Sequence, residues 1–386
     1  MGNDSEGNVT VKILHTADWQ IGKQFGFIAQ DAGAIVRVQR LKTVEEIAKL
    51  ATERCVDAVI VAGDIFENNT LADDSLRKCL QATRHFKEGK WILLPGNHDP
   101  ASAESAWTRL ERIGIPDNIV AATSEEPIFL GDKGLAVLPA PLRRKHEVRD
   151  LTESLSGRET PDGVIRVGLA HGSIENVLPG DWDAKNPIAS DRASLAKLDY
   201  FALGDWHGTF RVNDRTWYAG TPEPDSFKEN DSGNVLLVTL EGPGAVPHVE
   251  KISVGHFVWH IVENALHGTA DIAHLTRQFS ALPEPYDRHM VQTRLSGILD
   301  LVSRRALDEV LAEWAAKFHY LTVSEESLVT EPTEDDFDRI DLSGFVRTAV
   351  ERLRAIQKDA GHPEHEYAEE ALRRLYFEHV SGTAKP

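Results

Sequence analysis

The chain has 386 residues, enough for two or three domains rather than one core. Its 61 acidic residues outnumber 42 basic ones for a net charge of −19, which argues against a broad basic grip on nucleic acid but not against a carboxylate-rich site whose bound cations reverse the local field. Apolar residues make up 41% of the chain with no run near the about 18 residues a spanning helix needs, and two cysteines, Cys55 and Cys79, exclude a disulfide framework.

The first ten residues lack the basic-then-apolar layout of a secretory leader, so a cytoplasmic chain is expected. Residues 11–15 read as the first strand, 36–54 as a helix, the apolar run 57–62 as a buried strand, 74–86 as a second helix and 91–94 as a third strand. Cys55 and Cys79 fall in the helical segments and read as small core residues. Further strands are expected at 135–138, 164–170 and 200–203, with a later β layer at 217–219 and 235–240. This alternation predicts an α/β sandwich over residues 10–255. Beyond it, strands at 257–262, 290–295 and 319–323 and helices at 270–279 and 302–318 predict a smaller α+β domain, 256–330. An acidic, Pro-containing linker is expected at 325–338, and residues 331–386 should end in helices at 342–357 and 364–380. On the first of these helices Phe345, Ala349, Leu353 and Ile356, with Val346 and Val350 alongside, draw an apolar stripe that packs on its own domain or docks a partner.

Five short segments fall where strands give way to loops: Asp18-Trp19-Gln20, Gly63-Asp64, Gly96-Asn97-His98-Asp99, Ala170-His171-Gly172 and Gly204-Asp205-Trp206-His207. Their residue types and order suit hydrolysis by two ions about 3.5–4 Å apart that share a carboxylate. Asp64, just after a buried strand, is the natural bridge. Asp18 and Gln20 lie two apart, so in extended chain their side chains point the same way, and Asp205 and His207 repeat that spacing. Asn97 offers an amide oxygen and His171 an imidazole. His98 is then free to protonate a leaving oxygen, with Asp99 orienting its ring. Trp19 and Trp206 either pack beneath the site or stack on a substrate base. The isolated histidines His15, His85, His146, His256 and His260 read as structural.

These segments resemble the calcineurin-like metallophosphoesterase superfamily, and within it the SbcD-type DNA repair nucleases. The resemblance rests on Ile13-Leu14-His15-Thr16-Ala17-Asp18-Trp19, Ala62-Gly63-Asp64-Ile65-Phe66, Leu94-Pro95-Gly96-Asn97-His98-Asp99, Tyr200-Phe201-Ala202-Leu203-Gly204 and Tyr218-Ala219-Gly220-Thr221-Pro222-Glu223. It implies a four-layer α/β/β/α metallophosphoesterase sandwich, an α+β capping domain and C-terminal helices that bind an SMC-like ATPase of SbcC type. It also implies a homodimeric DNA exo- or endonuclease in repair, nucleoid-associated and without a membrane attachment. Two divalent ions are implied, Mn²⁺ or else Mg²⁺: one on Asp18, Gln20, Asp64 and His207, the other on Asp64, Asn97, His171 and Asp205, with His98 as the catalytic histidine.

Two positions depart from the family pattern. Gln20 stands where the usual first motif, Asp-x-His, has its histidine, and Asp205 stands where the usual last motif, Gly-His-x-His, has its first histidine. Each metal position trades nitrogen for oxygen, which favours Mn²⁺ or Mg²⁺ over Zn²⁺. Two other readings share these residues: a phosphodiesterase or phosphatase for nucleotides and other small phosphates, and a weakly active or inactive metal-bound scaffold for DNA ends.

Overall fold

The computed structural model describes residues 10–174, 177, 185–331, 345–359 and 361–375 apart from 369 and 373. By compactness the chain divides into two units, one ending at Trp259 and the other beginning at His260. None of the described helices is long and apolar enough to cross a membrane.

In the first unit the chain runs β1 (Val11–Thr16), α1 (Gln30–Glu53), β2 (Ala58–Val61), α2 (Asp73–Ala82), β3 (Lys90–Leu93), α3 (Ala106–Ile113), β4 (Ile119–Ala121), β5 (Ile128–Leu130) and β6 (Leu135–Ala140). It continues through β7 (Ile165–His171), β8 (Ser173–Ile174), β9 (Pro187–Ile188), α4 (Arg192–Leu195), β10 (Tyr200–Gly204), β11 (Phe210–Arg211), β12 (Thr216–Tyr218), β13 (Asn234–Leu240) and β14 (His248–Ser253). One six-stranded sheet has the order β14-β13-β1-β2-β3-β4 and a second the order β11-β12-β10-β7-β6-β5. In the first, β1 to β4 are parallel, with β13 antiparallel to β1. In the second, β6, β7, β10 and β12 are parallel.

Three cores explain why the strands are apolar on both faces. Leu14, Val59, Val61 and Leu93 turn toward the helices and pack with Val44, Ile47, Ala48 and Ala51 of α1 and with Trp107 and Leu110 of α3. Their neighbours Ile13, Ala58, Ile60 and Ile92 face the second sheet and pack with Val137, Val167, Leu169 and Ala202. Phe201 and Leu203, on the far face of the second sheet, meet Ala193, Ala196 and Leu198. Alternating side chains along strands covered on both sides thus produce the continuous apolar runs. The layering is the expected four-layer α/β/β/α sandwich, with a thin outer layer, α4 and the turn Leu151–Gly157, on the second sheet.

The second unit holds β15 (Val258–Leu266), which crosses the division between units, α5 (Thr269–Ser280), β16 (His289–Leu299), α6 (Leu301–Ala315), β17 (Tyr320–Thr330) and α7 (Phe345–Lys358). Its sheet has the order β15-β16-β17, with β16 and β17 parallel across the α6 crossover. Phe279, Trp314, Phe318, Leu266 and Leu307 fill its core. On α7, Val350 packs against Leu372, with Val346, Leu353 and Leu375 around them, whereas Phe345 is 85% exposed.

Two expectations need correction. The acidic stretch 325–330 is not linker but the end of β17, whose outer register tolerates charge because Glu325 pairs with Arg304 at 2.9 Å. The rest of the expected linker, 332–338, lies outside the described residues, as do residues 376–380 of the last expected helix. Cys55 is exposed in the turn after α1, with φ of 50°, and only Cys79 is a core residue.

Candidate metal centre

The parallel strands of both sheets point their carboxyl ends at one place, and the five motifs follow those ends. Sheet-to-sheet contact there is direct: His171, the last residue of β7, reaches across to the Ala62 carbonyl beyond β2, Nδ1 to oxygen 2.8 Å. Asp205 after β10 donates its backbone N–H to the Asp18 carboxylate beyond β1, at 3.2 and 3.3 Å.

One set of donors is concentrated around His171. Its Nε2 lies 2.8 Å from Asn97 Oδ1, 3.5 Å from Asp64 Oδ1 and 3.8 Å from Asp205 Oδ1. Donor atoms of Asp18, Asp64 and His171 all lie within 4.8 Å of one another, and all three residues are buried. With Nδ1–H committed to the Ala62 carbonyl, Nε2 is the ring atom left for the cluster. The space is made by missing side chains: a Cβ on Gly96 would stand 2.1 Å from Asp64 Oδ1.

Electrostatics describe a centre short of positive charge. Burial raises the Asp18 carboxyl to about 7, against His207 and His171, with Asp64 and Asp205 adding to the rise. Burial also raises Asp205. For His171, burial opposes charge, but the carboxylates of Asp64, Asp18 and Asp205 overcome it and hold the ring up to about 9. The metal-free ring therefore keeps a second proton on Nε2, donated to Asn97 Oδ1, where a divalent cation would take the lone pair instead. Carboxylate oxygens, an amide oxygen and one imidazole suit a hard to borderline ion such as Mn²⁺ or Mg²⁺.

A second set, around Gln20, is built differently. His207 gives Nδ1–H to Asp225 at 3.0 Å, and burial works against its charge while Asp225 raises it to about 8. When the ring is neutral its Nε2 accepts from the Gln20 amide nitrogen at 3.3 Å, while the Gln20 oxygen accepts from the Lys23 ammonium at 3.0 Å. Lys23 also pairs with Asp225. Burial works against an Asp225 charge, yet His207, Lys23 and Arg40 hold its carboxyl well below the usual carboxylate range.

His98 projects from the same loop as Asn97. Its backbone N–H donates to Asp64 Oδ1 at 2.8 Å, and its ring Nδ1 meets the Glu67 carbonyl at 3.0 Å. Asp99 does not orient this ring, contrary to expectation. Its carboxylate accepts from the backbone N–H groups of Gly96, at 2.7 Å, and Phe66, at 3.0 Å, and so ties two ligand loops together. Neighbours in so tight a turn point apart, and the carbonyl of Glu67 takes the orienting place.

Backbone strain marks the same residues. Asp18, Gln20, Asp64 and Asp205 have φ of 53, 42, 53 and 104°, a region that side chains rarely adopt unless surrounding structure enforces it. In the loop of Asp18 and Gln20 enforcement comes from Arg40, which is buried and donates to the carbonyls of Trp19, at 2.6 Å, Asp18, at 3.0 Å, and Glu223, at 2.9 Å. Glu223 in turn accepts from Thr43 and from the backbone of His256 and Phe257. Arg40, Lys23 and Asp225 carry no signal in the short motifs. Glu223 lies in the 218–223 turn, where an acidic residue amid small ones is the available clue. Trp19 is packing: it is buried, edge-on to Trp91. Trp206 is half-buried against the outer core of the second sheet.

A calcineurin-like phosphoesterase family model matches residues 11–192. Among curated relatives, a DNA double-strand break repair protein Mre11 from Methanosarcina acetivorans is 24% identical over 246 residues, 61% of this chain and 37% of that protein. The SbcD component of the nuclease SbcCD from Escherichia coli is 24% identical over 286 residues, 63% of this chain and 68% of the other. The Mre11 of Aeropyrum pernix is 29% identical over 268 residues, 63% and 61% of the two chains. The match thus spans little more than a third of the Methanosarcina protein. A donor cluster at the shared strand ends of two sheets, together with this match, identifies residues 11–192 as a calcineurin-like metallophosphoesterase domain, in a chain similar to the Mre11 and SbcD proteins.

Proposed function

We propose that the chain is a Mn²⁺-dependent DNA nuclease that hydrolyses phosphodiester bonds in repair or end processing, working as a homodimer beside an SMC-like ATPase. The observation that carries the hydrolytic reading is the convergence of Asp18, Asp64, Asn97, His171 and Asp205 at the ends of strands from two sheets. The choice of DNA rests on the relatives, whose names are those of a nuclease component and DNA repair proteins.

In this reading Asp64, Asn97, His171 and Asp205 hold one ion, and Asp18, Gln20, Asp64 and His207 hold the other. Bound divalent cations polarise the phosphate and acidify water. The chain's own residues do the rest. Ala62 fixes the His171 tautomer, and Ser173, donating to Asp205 at 2.6 Å, holds that carboxylate in place. When protonated, His98 keeps Nδ1–H on the Glu67 carbonyl and offers the Nε2 proton to the leaving oxygen. Its backbone tether to Asp64 fixes the acid relative to the shared ligand.

The net charge of −19 favours a second reading, a small phosphodiester substrate, because the chain has no broad basic balance to hold DNA. The deciding experiment compares end-labelled DNA with bis(p-nitrophenyl) phosphate and nucleotide monoesters, each with Mn²⁺ and with chelator. Mn²⁺-dependent release of DNA fragments supports the nuclease. Turnover of the small diester without any DNA cleavage moves the assignment to the second reading.

A further inference from the structure

We propose that Lys23 is a built-in competitor for one of the two ions: its ammonium sits on the Gln20 oxygen and the Asp225 carboxylate, so the Asp18–Gln20–Asp64–His207 position takes its cation weakly and only as Lys23 withdraws. The inference rests on reading those four residues as a metal position.

The two donor sets differ in what faces the candidate ligands. Around His171, one imidazole nitrogen looks onto oxygens of Asn97, Asp64 and Asp205. Around Gln20 stands an ammonium, which unlike the Nε2 proton of His171 cannot be displaced to leave a ligand and has to move away. Lys23 Nζ lies 3.0 Å from Gln20 Oε1 and pairs with Asp225, the carboxylate that also takes Nδ1–H of His207 at 3.0 Å. The Gln20 amide nitrogen faces His207 Nε2 at 3.3 Å and donates to it when the ring is neutral, so the two groups expected to hold the ion face each other. An amide at position 20 is what permits this, because it has both an oxygen for the ammonium and an N–H for the imidazole. Lys23 is free to leave: its side chain is 23% exposed, whereas Asp225 is 3% exposed and fixed. An ammonium and a divalent cation cannot share one oxygen at these distances without strong repulsion. The ion bound by the Asp64–Asn97–His171–Asp205 set, with no lysine paired to those residues among the described ones, is the tighter of the two.

The test is calorimetric titration of the metal-free protein with Mn²⁺, with electron paramagnetic resonance following the coupled Mn²⁺ pair, and needs no DNA. The full chain is expected to bind one ion tightly and a second at least about 100-fold more weakly. Lys23→Met should tighten the weak step by about tenfold or more and leave the tight one in place. Lys23→Arg, which keeps the charge, should leave the weak step weak, and so separates charge from disturbed packing. Two ions of equal affinity in the unaltered chain would overturn the proposal. So would a weak step unmoved by Lys23→Met, or a single ion in every variant. Nuclease activity is measured apart from these titrations, so an inactive protein with this binding pattern would sink the nuclease reading and leave Lys23 as assigned.

Discussion

Replacing Arg40 by Met tests whether the strained ligand loops are held by one buried guanidinium. Arg40 donates to the Asp18, Trp19 and Glu223 carbonyls and to Thr221 Oγ1, and is 2% exposed. After substitution the Glu223 carbonyl keeps the Thr221 hydroxyl at 3.0 Å, but the Asp18 and Trp19 carbonyls lose this donor. Two buried acceptors left short cost about 1–3 kcal/mol each, and the acidic neighbours Asp225 and Glu223 lose a counter-charge. The sum is about 4 kcal/mol, within the range for breaking a buried charged network. Urea unfolding of the metal-free protein should show that loss, and Mn²⁺ affinity should fall because Asp18 and Gln20 no longer keep their positive φ. Arg40→Lys should recover less than half, since an ammonium lacks the planar fork that reaches several carbonyls. A loss below about 1 kcal/mol with unchanged Mn²⁺ affinity would refute the role given to Arg40.

Other outcomes follow from the same geometry. Mn²⁺ affinity should rise with pH by about tenfold per unit between pH 7 and 9, because the metal-free His171, held at about 9, must release its Nε2 proton. For the second ion, on Asp18 and His207, the rise should run up to about pH 8, where His207 gives up its proton, and be steeper below about 7, where Asp18 also holds one; a flat titration would contradict the shared cluster. The same His171 shift stabilises the metal-free fold below pH 6.5, and that contribution is lost as pH rises through about 9, which the pH dependence of metal-free unfolding can check. Gly96→Ala should abolish tight metal binding while leaving most of the circular dichroism intact, since the added methyl meets Asp64 Oδ1 at 2.1 Å; retained affinity would count against the cradle. Phe279→Ala, in the core with Trp314 and Phe318, should cost its own unit about 3–5 kcal/mol without changing Mn²⁺ affinity, and a parallel loss of metal binding would contradict separate units.

Much of the fold was legible because buried strands write themselves as short apolar runs: residues 57–62 and 164–170 carry both faces of a covered sheet. β4 and β14 were not, since a three-residue strand and an edge strand carrying charged Glu250 and Lys251 side by side have no such run. The site divides the same way. Asp18, Asp64, Asn97, His171, Asp205 and His207 stand in motifs and are brought together at the strand ends. Asp99 was misjudged because adjacency in sequence to His98 says nothing of direction in a tight turn. Glu67 acts through a backbone carbonyl, which every residue has. Lys23, Arg40 and Asp225 reach the centre from separate loops and α1, so only the packed structure joins them.

The most direct test is cleavage of end-labelled single- and double-stranded DNA with Mn²⁺ by the unaltered chain, Asp64→Asn and His98→Gln, with Mn²⁺ binding measured on the same samples. Metal-dependent fragments are expected from the unaltered chain. They should be lost with the metal in Asp64→Asn, and lost by about 10²–10⁴-fold with metal retained in His98→Gln. Cleavage that survives both substitutions, or a fully metal-loaded chain that cuts neither form of DNA, would contradict a DNA nuclease built on this centre.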